Sequence, residues 1–149
     1  MFVYFIRYVF VFLFFVSLSA CIAQPQESSF IGECKQLKVK HQLIEGRSGG
    51  YSGERMLVVS DNVQIGRMKP IAEIEPGTRV KINQIIKDSD GSYGAYLRVE
   101  VEILDGVYKG ALADVSACVP YHPKLKWVES CTLNANEITF NNELVEVCL

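Results

Sequence analysis

The chain has 149 residues, 49% of them hydrophobic, with 15 basic and 17 acidic side chains. This length predicts one compact domain preceded by a leader. Arg7 is the one charged residue among the first 20, so the remainder carries 14 basic and 17 acidic residues and a net charge of −3. A charge this small does not attract nucleic acid or an anionic membrane through a long-range field, so no nucleic-acid partner is expected.

The first 20 residues have the pattern of a signal peptide for export. An apolar run follows Arg7, and small residues precede Cys21. The stretch Leu18-Ser19-Ala20-Cys21 resembles the lipobox of bacterial lipoproteins at all four positions. The resemblance implies that residues 1–20 are removed, that the Cys21 sulfur receives a diacylglycerol, and that Cys21 becomes the lipidated N-terminus. Two or three acyl chains would hold the protein stably on a membrane.

Two other fates of the leader stay open. Cleavage after Ala23 by an ordinary signal peptidase would leave no lipid, and an uncleaved run over residues 8–23 would be short for a span of about 20 residues. Ile22 follows the cysteine in place of the Asp that marks inner-membrane retention. By resemblance, this implies the outer membrane and a domain facing the periplasm; in a bacterium with a single membrane, the anchor would face outward.

The number of cysteines supports a special role for Cys21. The five cysteines are Cys21, Cys34, Cys118, Cys131 and Cys148. Lipidation of the first leaves four, which permits two disulfides in an oxidising compartment, with three possible connectivities that the sequence does not distinguish. Zinc is disfavoured because the chain has no C-x-x-C pair and no nearby pair of histidines, and neither a metal nor a cofactor is expected.

Short alternating segments follow the leader. Residues 21–30 are interpreted as the lipidated N-terminus and a polar tether, and residues 31–149 as a single β domain. Residues 36–44 alternate apolar and polar side chains, which predicts a strand. The stretch "EGRSGGYSGER" at 45–55 is rich in Gly and Ser and predicts a mobile loop, with Tyr51 at its centre. This loop is interpreted either as solvated or as a contact loop.

The second half of the chain predicts two hairpins. In "YLRVEVEIL" at 96–104, the apolar residues alternate with Arg98, Glu100 and Glu102, and both glutamates are expected to face solvent. Asp105-Gly106 follows and predicts a two-residue type I′ turn. A second hairpin is expected around Asn141-Asn142, and a single helical turn near 114–117. The fold class is therefore all-β.

Residues 56–119 resemble a bacterial SH3-type domain. The segments "NVQIG" at 62–66, "IAEIEPGTRVKI" at 71–82 and the hairpin region 96–119 occur in the family's order. The resemblance implies a small SH3-like barrel, to which an extra β-hairpin and the disulfides are added. Ala95 and Ala111 stand where family members carry aromatic residues of a ligand groove. This departure weakens the case for the family's own peptidoglycan or Pro-rich ligands.

Four tyrosines are candidate partner-binding residues, because Tyr combines a rigid ring with a polar tip: Tyr51, Tyr93, Tyr96 and Tyr108. The alternative is that one or two of them pack in the core. His41 is expected to be a packed or surface residue, and no nucleophile, zinc or phosphate-loop motif occurs. The chain is therefore not expected to be an enzyme.

The sequence favours a lipid-anchored, non-enzymatic binding or adaptor protein of the cell envelope that engages a protein or a cell-wall partner. Small size, an anchor and disulfides suit two alternatives. The first is a periplasmic inhibitor or immunity protein acting against a lysozyme or a toxin. The second is a divergent envelope enzyme.

Overall fold

The computed structural model describes residues 23–46, 53–59, 67–90, 94–115, 126–130 and 132–149. These residues contain no helix, which confirms the all-β prediction, and none of them forms an apolar helix long enough to cross a membrane. The described strands are β1 (Gln24–Gln26), β2 (Cys34–Leu37), β3 (His41–Glu45), β4 (Arg55–Val59), β5 (Lys69–Ile74), β6 (Arg79–Asp90), β7 (Gly94–Ile103), β8 (Leu112–Val115) and β9 (Val145–Val147).

The longest pairing joins β6 to β7. The two strands are antiparallel from Val80 opposite Ile103 to Asp90 opposite Gly94. β7 also pairs with β8, which is antiparallel to it, and Glu102 lies opposite Leu112. Period-two alternation turns one face of β7 inward, and Leu97, Val99, Val101 and Ile103 on that face are buried.

The turn between β7 and β8 is longer than predicted. The Ile103 amide donates to the Ala111 carbonyl at 2.9 Å, so the connection is residues 104–111 and not Asp105-Gly106 alone. The Asp105 carboxylate instead accepts hydrogen bonds from the backbone N, Nε and Nη2 of Arg79 at 2.9, 3.0 and 2.8 Å. The hairpin is confirmed and the type I′ turn is wrong, because Asp105 is held by β6.

The predicted strand at 36–44 is divided by a bend. β2 pairs with β6 and β3 pairs with β5, both antiparallel; the register is the same from Cys34 to Leu43 and shifts by one residue between Leu43 and Ile44. At the bend, the Leu37 amide donates to the Thr78 carbonyl at 2.9 Å, and the Gly77 amide donates to the Leu37 carbonyl at 2.8 Å. Gly77 has a φ of 87°, which glycine adopts readily. Segments β2–β3 and β5–β6 therefore form one antiparallel ribbon that bends at a single place.

The strands belong to one mixed sheet in the order β5-β3-β4-β8-β7-β6-β2-β9, with β1 added beside β6. The β4–β8 pair is parallel, with Met56 opposite Asp114 and Leu57 opposite Val115. Along this path the sheet is open, and β5 and β9 are its end strands. Asp114 and Val115, which were expected to begin a helical turn, lie in β8.

Apolar side chains form two clusters. The larger cluster contains the inward residues of the β6–β7–β8 hairpins together with Trp127, whose side chain is fully buried. The smaller cluster lies on the other face of β7 and is composed of Ile44, Met56, Val58, Met68 and Tyr96. Both faces of β7 are therefore partly covered, a situation that a simple two-face alternation does not predict.

The predicted hairpin around Asn141-Asn142 does not form. The Phe140 segment pairs with Val128, and the amides of Leu144 and Val145 both donate to the Asn141 carbonyl at 3.1 Å. This tight turn directs β9 to the open edge of β2, where Val147 lies opposite Lys35. The hairpin prediction was wrong because the last strand pairs with the edge of β2 and not with the segment before the turn. The β2–β9 pairing buries Leu144 and Val145.

Residues 24–30, predicted as part of a tether, are packed against the domain. Gln24 lies opposite Lys87 in the β1–β6 pair. The Ser28 hydroxyl donates to the Ala135 carbonyl at 2.8 Å, and the ring of Phe30 meets that of Phe140 edge-on at 5.4 Å. The segment does not extend freely as a tether, because a polar segment beside an unpaired sheet edge gains backbone hydrogen bonds when it pairs with that edge.

Candidate functional site

A cleft of about 560 Å³ opens between the starts of β4 and β8. It is lined by Gly53, Glu54, Arg55, Arg98, Glu100, Gly110, Ala111, Leu112, Ala113 and Asp114. Three of these residues end the Gly-rich segment predicted at 45–55, so the described part of that segment borders the cleft. Half of the lining residues carry a charge, so the cleft is polar.

The cleft exists because the parallel ladder between β4 and β8 is short. Its first rung joins Met56 to Asp114, and the next joins Leu57 to Val115. Continuing the same register backwards would bring Arg55 opposite Ala113, but the ladder does not extend there. The two strands diverge at this point, and the cleft occupies the space of the missing rungs.

Backbone polar groups of both strands are directed into this space. The Ala111 carbonyl accepts from Ile103 on the β7 side, so strand alternation turns the backbone groups of Leu112 towards β4. On β4, the Glu54 carbonyl accepts a hydrogen bond from the β3 side, so the backbone amide of Arg55 points towards β8. The cleft therefore combines strand-edge backbone groups with charged side chains.

A buried ion network forms the inner end of the cleft. The Arg98 guanidinium donates from Nη2 to Asp114 Oδ2 at 2.9 Å and from Nη1 to Asp88 Oδ2 at 3.2 Å. Arg98 is buried, with only 9% of its surface exposed. The cause is the smaller apolar cluster, which covers this face of β7 beside Tyr96. Removing one member of such a buried network costs about 3–5 kcal/mol, because it leaves an uncompensated buried charge.

Neighbouring side chains also hold two other charged residues of the lining, Glu100 and Arg55. Glu100 Oε1 accepts hydrogen bonds from Asn83 Nδ2 at 2.7 Å and from Gln84 Nε2 at 2.9 Å. Arg55 Nε donates to Glu45 Oε1 at 2.7 Å. These contacts fix the positions of the charges before a partner arrives, which lowers the entropy that binding has to overcome.

The predicted tyrosines are distributed differently. Tyr51 and Tyr93 lie outside the described residues. Tyr96 is 6% exposed and belongs to the smaller apolar cluster, so its ring is not on the surface. Tyr108 is half-buried against the main core, and its hydroxyl donates to the Ile71 carbonyl at 3.2 Å. The loop that carries Tyr108 leads directly to Gly110 and Ala111 at the mouth of the cleft.

Cys34 and Cys148 form a disulfide, with their Cα atoms 5.4 Å apart. The Cys148 amide also donates to the Cys34 carbonyl at 3.2 Å, so the bond closes the end of the β2–β9 pair. This pairing resolves part of the connectivity that the sequence left open. Cys21, Cys118 and Cys131 lie outside the described residues.

His41 is a fully buried packing residue. Its Nδ1 lies 2.8 Å from the Val39 carbonyl oxygen, and its Nε2 accepts a hydrogen bond from Trp127 Nε1 at 2.8 Å. Burial lowers the pKa of His41 below its usual 6.5, against a smaller opposing effect of the Val39 hydrogen bond. The neutral ring therefore joins β3 to the segment that contains Trp127.

The described residues contain no group of three or more His, Cys, Asp or Glu side chains placed to hold a metal ion. Comparison with known proteins gives no match: no protein-family model, no curated protein and no solved structure corresponds to the chain. The cleft and the sequence motifs are therefore the features from which a function can be inferred.

Proposed function

We propose that this protein is a lipid-anchored binding or adaptor protein of the bacterial envelope, which holds a protein or cell-wall partner in the cleft between β4 and β8. Support for the anchor comes from Leu18-Ser19-Ala20-Cys21, and Ile22 favours the outer membrane with the domain in the periplasm. The Cys34–Cys148 bond is consistent with this location, because disulfides persist in oxidising compartments.

The cleft is the observation that carries the binding proposal. An extended chain that enters the gap gains main-chain hydrogen bonds from strand edges, as in recognition by β-strand addition. Either a protein segment or a cell-wall peptide offers such a backbone. The lining has three acidic side chains, Glu54, Glu100 and Asp114, and two basic ones, Arg55 and Arg98. This excess favours a partner segment that carries a basic group.

The proposal includes an SH3-like barrel for residues 56–119, to which β4 to β8 belong. Two observations support it. β6, β7 and β8 form a continuous meander, and β8 returns to β4. In addition, the bent ribbon leads from β6 back to β4 through β2 and β3, two strands that precede residues 56–119 and would complete the barrel. A ribbon that bends in this way brings the two halves of the open sheet towards each other, which reduces the length of strand edge that is exposed.

The binding proposal predicts that a charge placed at the cleft blocks capture of the partner. Leu112 lines the cleft and is 42% exposed, while Ile31 is 41% exposed and does not line it. Leu112→Arg should lower recovery of the partner at least tenfold in pull-downs from intact cells with the lipidated protein, and Ile31→Arg should recover it normally. Equal recovery by both variants would rule out the cleft as the binding site.

The identity of the recovered partner distinguishes the proposed roles. Co-sedimentation of the protein with purified peptidoglycan, lost in Leu112→Arg, would establish a cell-wall partner. A recovered hydrolase whose rate changes in the complex would replace the adaptor role by that of an inhibitor.

A further inference from the structure

We propose that the lipid anchor holds this domain in one fixed orientation, with the end of the sheet where β6 ends and β7 begins against the bilayer and the mouth of the cleft away from it. The proposed occupant of this end of the sheet is the headgroup layer of the anchoring membrane. The inference rests on the lipidation of Cys21 given under the proposed function, and adds the surface that meets the membrane.

The first argument is the length of chain between the anchor and the fold. Three peptide units separate Cys21 from Gln24, the first residue of β1. A fully extended chain spans at most about 3.6 Å per residue, so the two Cα atoms are no more than about 11 Å apart. An acylated Cys21 lies in the headgroup region, so Gln24 is held close to the membrane surface.

The second argument is that the docked segment after Gln24 has little slack. Gln24 and Gln26 lie opposite Lys87 and Ile85 on β6. Beyond β1, Ser28 and Phe30 are attached to the last part of the chain by the hydrogen bond and the ring contact described above. The domain therefore has no flexible tether from Gln24 onward that would let it rotate freely above the membrane.

The third argument is the direction of β1. Because β1 is antiparallel to β6, its first residue meets Lys87, three residues before β6 ends at Asp90. Gly94, the start of β7, lies opposite Asp90. The entry point of the chain therefore lies at the end of the sheet where β6 ends and β7 begins, and Lys87 is an exposed side chain at that end.

The cleft mouth lies towards the other end of β7. Gly110 at the mouth donates its amide to the carbonyl of Ile103, the last residue of β7. β7 has ten residues, which corresponds to about 30 Å along the strand from its start at Gly94. Lys109 is an exposed residue next to Gly110. An anchor at the Gly94 end therefore directs the cleft towards a partner beyond the membrane surface.

The test compares Lys87 with Lys109 in the full lipidated protein. The protein is reconstituted in phosphatidylethanolamine–phosphatidylglycerol vesicles and treated with a membrane-impermeant amine-biotinylating ester, and each lysine is quantified by peptide mass spectrometry. The matched control carries ten Gly and Ser residues inserted between Ala23 and Gln24, which lengthens the tether without changing the domain. Intact mass establishes the diacylglycerol on Cys21 in both proteins.

We expect labelling of Lys87, relative to Lys109, to be at least fivefold lower in the native protein than in the lengthened one. Equal relative labelling in two proteins that both carry the lipid would overturn the orientation and leave the anchor standing. A mature N-terminus without diacylglycerol would refute the anchor itself, and the orientation with it.

Discussion

At the scale of single residues, the buried pair of His41 and Trp127 couples stability to pH. The Trp127 indole donates to Nε2, so this nitrogen has to be unprotonated, and the proton of the neutral ring lies on Nδ1 towards the Val39 carbonyl. Protonation would bring two N–H groups together and place a charge in the core. This conflict and the lowered pKa of His41 both favour the neutral ring in the folded state.

The free energy of unfolding should fall as the pH drops below about 6.5, the usual pKa of His. The unfolded chain then binds a proton at His41 that the folded chain does not. The free energy of unfolding should change by up to about 1.4 kcal/mol per pH unit. This dependence should end where the pH falls below the lowered pKa of His41 in the folded state. Urea unfolding between pH 7.5 and 5 measures it. His41→Gln should reduce the slope by this amount, and an unchanged slope would contradict the coupling.

The exposed pair of Asp105 and Arg79 acts in a lower pH range. Hydrogen bonds from the Arg79 side chain lower the pKa of Asp105 from 3.8 to about 2. The stability that the pair contributes is therefore complete above about pH 4 and is lost as the pH falls towards 2. Asp105→Asn should lower the Tm at pH 7, and the difference from the wild type should shrink between pH 4 and 2. Glu146→Gln, at an exposed position, serves as the control. A Tm difference between Asp105→Asn and the wild type that persists at pH 2 would exclude the Asp105–Arg79 pair as its cause.

At the scale of elements, the Cys34–Cys148 bond determines whether β9 stays on the sheet. β9 has three residues, and its pairing in the described sheet is with β2. The bond closes a separation of 114 residues, and loss of a native disulfide typically costs about 2–5 kcal/mol. The double substitution Cys34→Ser and Cys148→Ser should lower the free energy of unfolding by that amount.

The same substitution should affect the sheet locally. Backbone amides of β9 should exchange with solvent faster by a larger factor than those of the β6–β7 pair, which lies inside the sheet. Val147→Thr, at a largely exposed position of β9, is the control and should leave both rates nearly unchanged. Uniform acceleration over all strands would show that the bond stabilises the whole fold without a special role for β9.

Local alternation predicted some elements well and others poorly. The β7–β8 hairpin follows from apolar side chains at every second position, because neighbouring segments of the chain pair with each other. The final hairpin failed because its second strand pairs with β2, and a sequence pattern carries no information about a competing edge so distant along the chain. The burial of Arg98 was missed for a related reason: the cluster on its face of β7 comes largely from β3, β4 and a residue next to β5.

The candidate site was predictable in part. The Gly-rich segment at 45–55 was recognised as a possible contact loop, and its described end borders the cleft. The cleft itself depends on where the parallel ladder of β4 and β8 stops, which is a property of two distant strands. The pairing of Cys34 with Cys148 likewise required the position of β9, which the predicted hairpin placed elsewhere.

At the scale of the whole molecule, the remaining cysteines give a test of the anchor. With Cys34 joined to Cys148, the two-bridge hypothesis leaves Cys118 and Cys131 for the second disulfide. The unfolded, unreduced mature protein should therefore contain no free thiol, and peptide mapping should find Cys118 bonded to Cys131. Two free thiols would refute the second bridge, and any bridge that includes Cys21 would contradict its lipidation.

The long span of the Cys34–Cys148 bond has a consequence for biogenesis. In a chain exported from its N-terminus, Cys34 reaches the oxidising side before Cys118 and Cys131, and its partner arrives after all of them. Oxidation in order of arrival would join Cys34 to Cys118 first, and correction by thiol–disulfide exchange is slow without a catalyst. If the chain is exported as proposed, the Cys34–Cys148 pairing predicts that maturation needs a disulfide isomerase in addition to an oxidase.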